Sequence, residues 1–91
     1  MALSKVTVID KIEVMEMGQV QVRTATRVLE DGVELSSSFH RHVVEPSTKA
    51  SGSWADTDIS GEDARVQAIA TATWTSAVKT AYQEMVDAQA I

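Results

Sequence analysis

Apolar and polar residues alternate with a period of two through the first half of the chain. The alternation runs from Lys5 to Val14, from Gln19 to Leu29 and from Val33 to Val43. A period of two places successive side chains on opposite faces of a strand. The pattern therefore predicts three β-strands, each with one apolar face. Two charged residues fall on these apolar faces, Asp10 in the first strand and Arg41 in the third.

The turns between the strands predict an antiparallel meander with defined partners. Asp31-Gly32 favours a two-residue type I′ turn between the second and third strands. Between the first two strands, a three-residue loop, Glu16-Met17-Gly18, keeps the apolar faces together, whereas a two-residue loop at Met17-Gly18 mixes them. The predicted pairs are Val28 with Leu35, Thr24 with Phe39, Val20 with Val43, Val14 with Val20, and Ile12 with Val22.

The second half of the chain predicts helices after an irregular loop. Pro46 ends the third strand, and serine, glycine and aspartate residues dominate the segment 47–59. Ser60-Gly61-Glu62-Asp63 resembles a capping box with two carboxylates in the first helical turn, and the helix runs to about Thr73. Thr75-Ser76 offers a second cap, so we expect two short helices joined near Trp74. The predicted fold class is α+β, a single domain over 1–91 with a three-stranded antiparallel β-meander (1–46), a loop (47–59) and a C-terminal pair of short helices (60–91).

The lengths of these elements imply that the helices cannot cover the sheet. An eleven-residue strand is about 37 Å long at about 3.4 Å per residue, whereas a thirteen-residue helix is about 20 Å long. An apolar overhang on an open sheet favours oligomerisation or docking, unless the sheet coils tightly around the helices in a monomer. The interface candidates are Val22, Phe39, Arg41 and Trp54.

Two of these candidates also have structural interpretations. Trp54 lies in a polar loop, where it is either an interface anchor or folds back over the rim of the core. Arg41 lies opposite Val22 in the predicted register, where it either pairs with Asp10 on the same face or reaches past the sheet edge. By contrast, Trp74 and Tyr82 lie in or beside the apolar helical stripes, so we expect them in the core.

His40 and His42 are the candidate metal ligands, because residues two apart in a strand project from one face. Two ligands are too few for a tight site unless symmetry-related chains donate the same pair, so we predict no metal site and expect both histidines on the wetter face of the strand. Glu62 and Asp63 are explained by their position at a helix start. No nucleophile elbow or glycine-rich phosphate loop is evident, so we expect no catalytic residue, no cofactor and no small-molecule substrate.

Composition narrows the classes of partner. The 91 residues contain no cysteine, which excludes disulfides and thiolate metal sites, and the net charge of −5 offers no basic surface for nucleic acid. The chain has neither an apolar run of the roughly 18 residues that a membrane span needs nor the features of a signal peptide. We therefore expect synthesis in the cytoplasm and partners that are proteins.

Five short sequence motifs follow one another along the chain: Val-x-Asp-Lys-Ile-Glu-Val (8–14), Val-Gln-Val-Arg (20–23), Asp-Gly-Val-Glu (31–34), Ser-Phe-His-Arg-His-Val-Val (38–44) and Gly-Glu-Asp-Ala-Arg-Val-Gln-Ala-Ile (61–69). Together they resemble a family of small, poorly characterised proteins that tailed bacteriophages and prophages encode near their tail genes. The resemblance covers most of the chain and supplies no catalytic residues. It implies a virion component or a tail-assembly protein.

The leading hypothesis is a non-enzymatic bacteriophage structural protein, associated with the tail, baseplate or fibre, and located in the virion. It would bind a larger virion protein or copies of itself through the sheet edge and the uncovered face. The alternative is a soluble, phage-encoded regulator or inhibitor that binds a host protein. A metal-dependent enzyme would need more ligands than His40 and His42 provide.

Overall fold

A computed structural model describes residues 2–89 of the chain. Its strands are β1 (Leu3–Val14), β2 (Val20–Glu30), β3 (Val33–Val44), β4 (Ser47–Ala50) and β5 (Ser53–Asp56), and its helices are α1 (Ala64–Thr73) and α2 (Ser76–Gln89). Strands β1, β2 and β3 form an antiparallel sheet in that order, and β4 pairs with β5 in a separate small sheet. The predicted α+β class, with a three-stranded meander before two helices, is confirmed.

The first hairpin follows the predicted geometry. Val14 pairs with Val20 and Ile12 with Val22, as the three-residue loop requires. Gly18 has a φ of 88°, which a side chain on an L-residue disfavours, and its amide donates to the carbonyl of Met15 at 3.0 Å. The loop therefore keeps the apolar faces of β1 and β2 in register at this end of the sheet.

The second hairpin has the predicted turn but a different register. Asp31 and Gly32 both have positive φ, 51° and 84°, as a type I′ turn demands. Leu35 is an extra residue in β3, because Leu29 pairs with Glu34 whereas Val28 pairs with Ser36. This β-bulge shifts every later pair by one residue. The predicted partners were therefore wrong, and the observed pairs are Val28 with Ser36, Thr24 with His40, and Val20 with Val44.

The segment 47–59, predicted to be an irregular loop, contains the hairpin of β4 and β5. Ser51 and Gly52 have φ values of 52° and 80°, so a second turn with two positive φ values joins the strands. Lys49 pairs with Trp54 across this hairpin. The prediction failed because four-residue strands made of small and polar residues carry almost no periodic signal.

The helices begin and end at identifiable caps. The carboxylate of Asp63 accepts from the amide of Arg65 at 2.9 Å, so Asp63 is the N-cap of α1 and Ser60, the predicted cap, precedes the helix. Trp74 ends α1, and its amide donates to the carbonyl of Ala70. Thr75 caps α2, because its hydroxyl accepts from the amide of Val78 at 3.3 Å, as the sequence predicts.

The core lies at one end of the molecule. Helix α1 and the α1–α2 junction pack over the end of the sheet next to the first hairpin; the buried cluster is Val20, Val22, Val44, Val66, Ala70 and Trp74. The indole nitrogen of Trp74 donates to the carbonyl of Gly18 at 2.7 Å, which fixes the helix junction against the hairpin loop. The expectation that Trp74 and Tyr82 lie in the core is confirmed.

The rest of the sheet projects beyond the helices as a three-stranded ribbon. The molecule measures 56 × 27 × 23 Å, and its radius of gyration is 17.1 Å, whereas a compact domain of this length has a radius of about 12 Å. All residues from Asp31 to Arg41 are exposed. The sheet does not coil around the helices, so the expected overhang is present. Within residues 2–89, neither helix has the length and hydrophobicity that crossing a membrane requires.

Candidate docking surface

The ribbon has two faces of different chemistry. The helix face carries the even-numbered residues of β2 and is covered at one end by α1. Beyond the core it is mostly polar, since Thr7 and Ser38 flank Thr26 in register. We call the other face the open face; it carries the odd-numbered residues of β2 and their cross-strand partners, among them Val6, Val8, Arg23, Ala25, Arg27, Phe39 and Arg41.

Two bulges decide which residues reach the open face. Leu35 shifts β3, and in β1 the pairing passes from Ile9 with Thr24 to Lys11 with Arg23, so that Asp10 is an extra residue. Val8 therefore lies on the open face, whereas Ile12 lies on the helix face, although the sequence placed them together. The signal that could have revealed these shifts is the charge of Asp10 and Arg41 at positions of the predicted apolar faces.

An apolar row crosses the open face at Ala25. Val8 and Phe39 pair with Ala25 from either side, and Ala25 is 0% exposed even though no helix covers this face. Phe39 is 52% exposed, and Val6, two residues before Val8 in β1, is 37% exposed. We call Val6, Val8, Ala25 and Phe39 the apolar patch. Its exposed members, Phe39 and Val6, present apolar area to water at a cost in free energy.

Arginine side chains border the apolar patch. Arg23 donates two hydrogen bonds to the carboxylate of Asp10, at 2.9 and 2.7 Å, and its guanidinium carbon lies 4.5 Å from the ring centre of Phe39. These hydrogen bonds lower the pKa of Asp10 below its usual value, although desolvation acts in the opposite direction. The same contact raises the pKa of Arg23. A bidentate pair of this kind fixes the position of the guanidinium over the ring.

Arg41 does not make the ion pair with Asp10 that the sequence suggested. The bulges shift the registers so that Asp10 pairs with Arg23 instead. Arg41 lies directly opposite Arg23 in the register of β2 and β3, and like charges in that position repel. Among the ion pairs of residues 2–89, none involves Arg41. Arg27, on the same face, lies 3.5 Å from Glu34.

Val22 is not on an exposed surface. It is 0% exposed and belongs to the core under α1, so its prediction as an interface residue is corrected. The reason is that α1 packs at the end of the sheet where Val22 lies and leaves the opposite end bare. Burial of a valine side chain contributes about 1.5–3 kcal/mol, so this position serves the stability of the fold.

Trp54 takes the second of its two predicted roles. Its ring packs edge to face with Tyr82, with centroids 6.1 Å apart, and its indole nitrogen donates to Asp87 at 3.2 Å. Lys49 lies over the same ring, 5.4 Å from its centre, and forms an ion pair with Asp87 at 2.8 Å. These contacts lower the pKa of Asp87. Trp54 thus attaches the β4–β5 hairpin to α2.

The two histidines lie on the helix face. Their rings stack with centroids 6.5 Å apart, and Nε2 of His42 lies 2.8 Å from a carboxylate oxygen of Glu62. This contact joins the segment before α1 to β3. In the part of the chain that the structure describes, His40 and His42 do not belong to a cluster of three or more metal-binding side chains.

Comparisons with known proteins do not assign this chain to a class. No protein-family model, curated protein or solved structure matches it.

Proposed function

We propose that this chain is a non-enzymatic structural protein of a tailed bacteriophage that docks onto a larger protein of the virion, in the tail region, through the open face of its ribbon. The observation that carries the proposal is the apolar patch on a ribbon that projects beyond its own core. Such a surface costs free energy in water, and a partner that covers it removes this cost. The sequence resemblance to phage tail-region proteins supports the location.

The chemistry of the open face fits a protein partner. Aromatic residues and arginines are enriched at the energetic centres of protein interfaces. Here the guanidinium of Arg23 lies over the ring of Phe39, and Arg27 and Arg41 belong to the same face. The ion pair with Asp10 holds Arg23 in place before binding, which reduces the entropy that a partner must overcome. The ribbon supplies a preformed surface on which little has to rearrange.

The side chains that could have suggested catalysis have structural roles in this proposal. The contact of His42 with Glu62 holds the segment before α1 to the sheet, and Asp63 caps α1.

Strand addition at an edge of the ribbon is the second way in which such a sheet binds.

The test is mass spectrometry of washed virions of the encoding phage, with Val6→Glu as the diagnostic variant. Val6 lies in the apolar patch, and a carboxylate there should remove the chain from the particles while leaving the isolated protein folded. The matched control is Thr7→Glu, because Thr7 adjoins Val6 in the same strand and is exposed but lies on the helix face, opposite the uncharged Thr26. The control should be incorporated normally.

The result that would overturn the proposal is absence of the unmodified chain from washed particles. A soluble regulator that binds a host protein predicts this absence, together with recovery of the chain in the soluble fraction of infected cells. Equal incorporation of both variants would instead place the contact outside the open face.

A further inference from the structure

The two edges of the ribbon are built differently. The β1 edge is interrupted by the bulge at Asp10 and carries Lys5 and Lys11. In addition, Arg65 of α1 donates to the carbonyl of Ile9 at 3.1 Å, which occupies a hydrogen-bonding group in the middle of that edge. Bulges, lysines and covering side chains are the features by which proteins prevent a sheet edge from pairing. The β1 edge is therefore protected.

The β3 edge lacks these protections over most of its length. From Ser36 to Val44 it pairs with β2 without a register shift, and it contains neither lysine nor proline. Every residue from Val33 to Arg41 is exposed. Although the whole chain carries a net charge of −5, the only formal charges of β3 are Glu34 and Arg41, which cancel. Two copies of this edge can approach without the repulsion expected between acidic proteins.

We infer that the β3 edge pairs with the β3 edge of a second copy of this chain, antiparallel and centred on Ser38, so that two ribbons form one six-stranded sheet. This inference deepens the proposed function, because it names one partner and the edge that binds it. The apolar patches of the two copies then lie on the same face of one larger sheet. A virion partner would dock on that doubled surface.

The register follows from the faces of the strand. A two-fold axis normal to the sheet requires opposite residues to share a face, so the axis must pass through a residue paired with its own copy. An axis at Ser38 sets Ser36 opposite His40 of the second copy, all on the helix face. On the open face, the same register brings Arg41 opposite the Glu34–Leu35 bulge of the second copy.

This register supplies the acidic partner that Arg41 lacks among the ion pairs of residues 2–89. Within one chain Arg41 faces Arg23, whose charge is compensated by Asp10. In the pair of chains, Glu34 of each copy lies beside Arg41 of the other, which gives two symmetric ion pairs. The small side chains of Ser36, Ser37 and Ser38 allow close approach at the axis. An edge contact of this size belongs to the small class of specific interfaces, below about 1,200 Å².

The decisive test places charge on the axis. Alone, Ser38→Lys and Ser38→Glu should each be monomeric, with the dissociation constant raised more than about tenfold, because like charges would face each other. An equimolar mixture of the two variants should restore a dimer by light scattering, which a folding defect cannot do. The matched control is Thr7→Lys: Thr7 and Ser38 flank the same residue, Thr26, from the two edges. The control should dimerise like the unmodified chain.

A cross-linking experiment tests the register independently. Because the chain contains no cysteine, mild oxidation of Ser38→Cys should give a covalent dimer of twice the 9.8 kDa chain mass, whereas Thr7→Cys should give no covalent dimer. The charge swap Glu34→Arg with Arg41→Glu in one chain should dimerise, and each single change should not.

A folded unmodified chain that stays monomeric up to about 100 μM, well above the micromolar dissociation constants at the weak end of specific interfaces, would overturn self-pairing. So would equal cross-linking of the two cysteine variants. Neither result affects the Val6→Glu experiment, because Val6 lies in β1, at the edge of the ribbon opposite β3. Failure of the dimer and failure of virion docking are thus separable.

Discussion

The two ends of this molecule use the same sheet in different ways. At the end near the first hairpin, Val20 and Val22 are 0% exposed beneath α1 and Trp74. At the other end, all residues from Asp31 to Arg41 are exposed, and they are held by pairing between strands and by surface contacts such as that of Phe39 with Arg23. Burial in one region keeps the chain folded, so the second region is not needed to form the core. Stability and the proposed docking should therefore be separable by substitution.

The largest expected effect is at the packed end. Trp74→Ala removes a buried ring and leaves the carbonyl of Gly18 without its donor, so we expect a loss of about 4 kcal/mol in the free energy of unfolding. Trp54→Ala, the matched change on the half-buried indole over Tyr82, should cost roughly 1–2 kcal/mol. Urea denaturation followed by circular dichroism measures both. Equal losses would contradict the assignment of Trp74 as the central residue of the core.

The next largest loss of stability is expected at the turns of the three-stranded sheet, where Gly18 is compared with Gly32. Gly18→Ala forces a side chain into a positive φ and brings its Cβ to 2.5 Å from Val78 and 3.0 Å from Pro46, so we expect a loss of about 2–4 kcal/mol. Gly32→Ala also has a positive φ, but its Cβ meets nothing within 4 Å. Only the backbone strain remains there, about 1 kcal/mol. The difference in Tm between the two variants checks this prediction.

A smaller effect is expected in alkaline titration of the packed end. Burial, together with a hydrogen bond to Glu45, raises the pKa of Tyr82 to about 12. Because the folded value exceeds the ordinary value of 10.0, the contribution to stability is complete below pH 10 and is lost as pH rises toward 12. Tyr82 is the only tyrosine, so ultraviolet difference absorbance reports it directly. Ionisation near pH 10 in the folded protein would show that the hydroxyl is open to solvent.

The smallest effect is expected on the ribbon. Phe39→Ala removes an exposed ring and its contact with Arg23, which should cost about 1 kcal/mol or less. Phe39→Leu serves as the control, because it retains most of the apolar area without the aromatic face. Thermal unfolding measures the stability of both variants. A loss as large as that of Trp74→Ala would mean that the ribbon belongs to the same cooperative core.

Sequence reasoning succeeded where periodicity and local caps determine structure. The three long strands, the loop ending at Gly18 and the break between the helices at Trp74 all follow from such signals. It failed at the bulges, since an extra residue changes the face of everything beyond it. Val33, Leu35, Phe39 and Val43 are all odd-numbered and read as one apolar stripe, yet Val33 lies on the helix face and Phe39 on the open face. The run Ser36–Ser38 offers no apolar residue by which to detect the shift.

The four interface candidates fall into two groups. Phe39 and Arg41 are exposed on the ribbon, as interface residues must be. Val22 and Trp54 are engaged within the fold, because the position of the helices along the sheet depends on tertiary packing that a single sequence does not encode locally. The apolar row through Ala25 was missed because Val8 and Phe39 reach the face of Ala25 only through the two bulges.

The hydrogen bond between Trp74 and Gly18 also has a consequence for the order of events during synthesis. It joins residues 56 positions apart, whereas each hairpin joins two strands that are consecutive in the sequence. Each hairpin therefore leaves the ribosome before the indole of Trp74 does. Closing so long a loop carries a larger entropic cost than forming a hairpin. The valines of β2 must therefore wait uncovered while the second half of the chain is translated. Slower elongation between codons 44 and 74 should lengthen this wait and increase the fraction of nascent chains captured by chaperones.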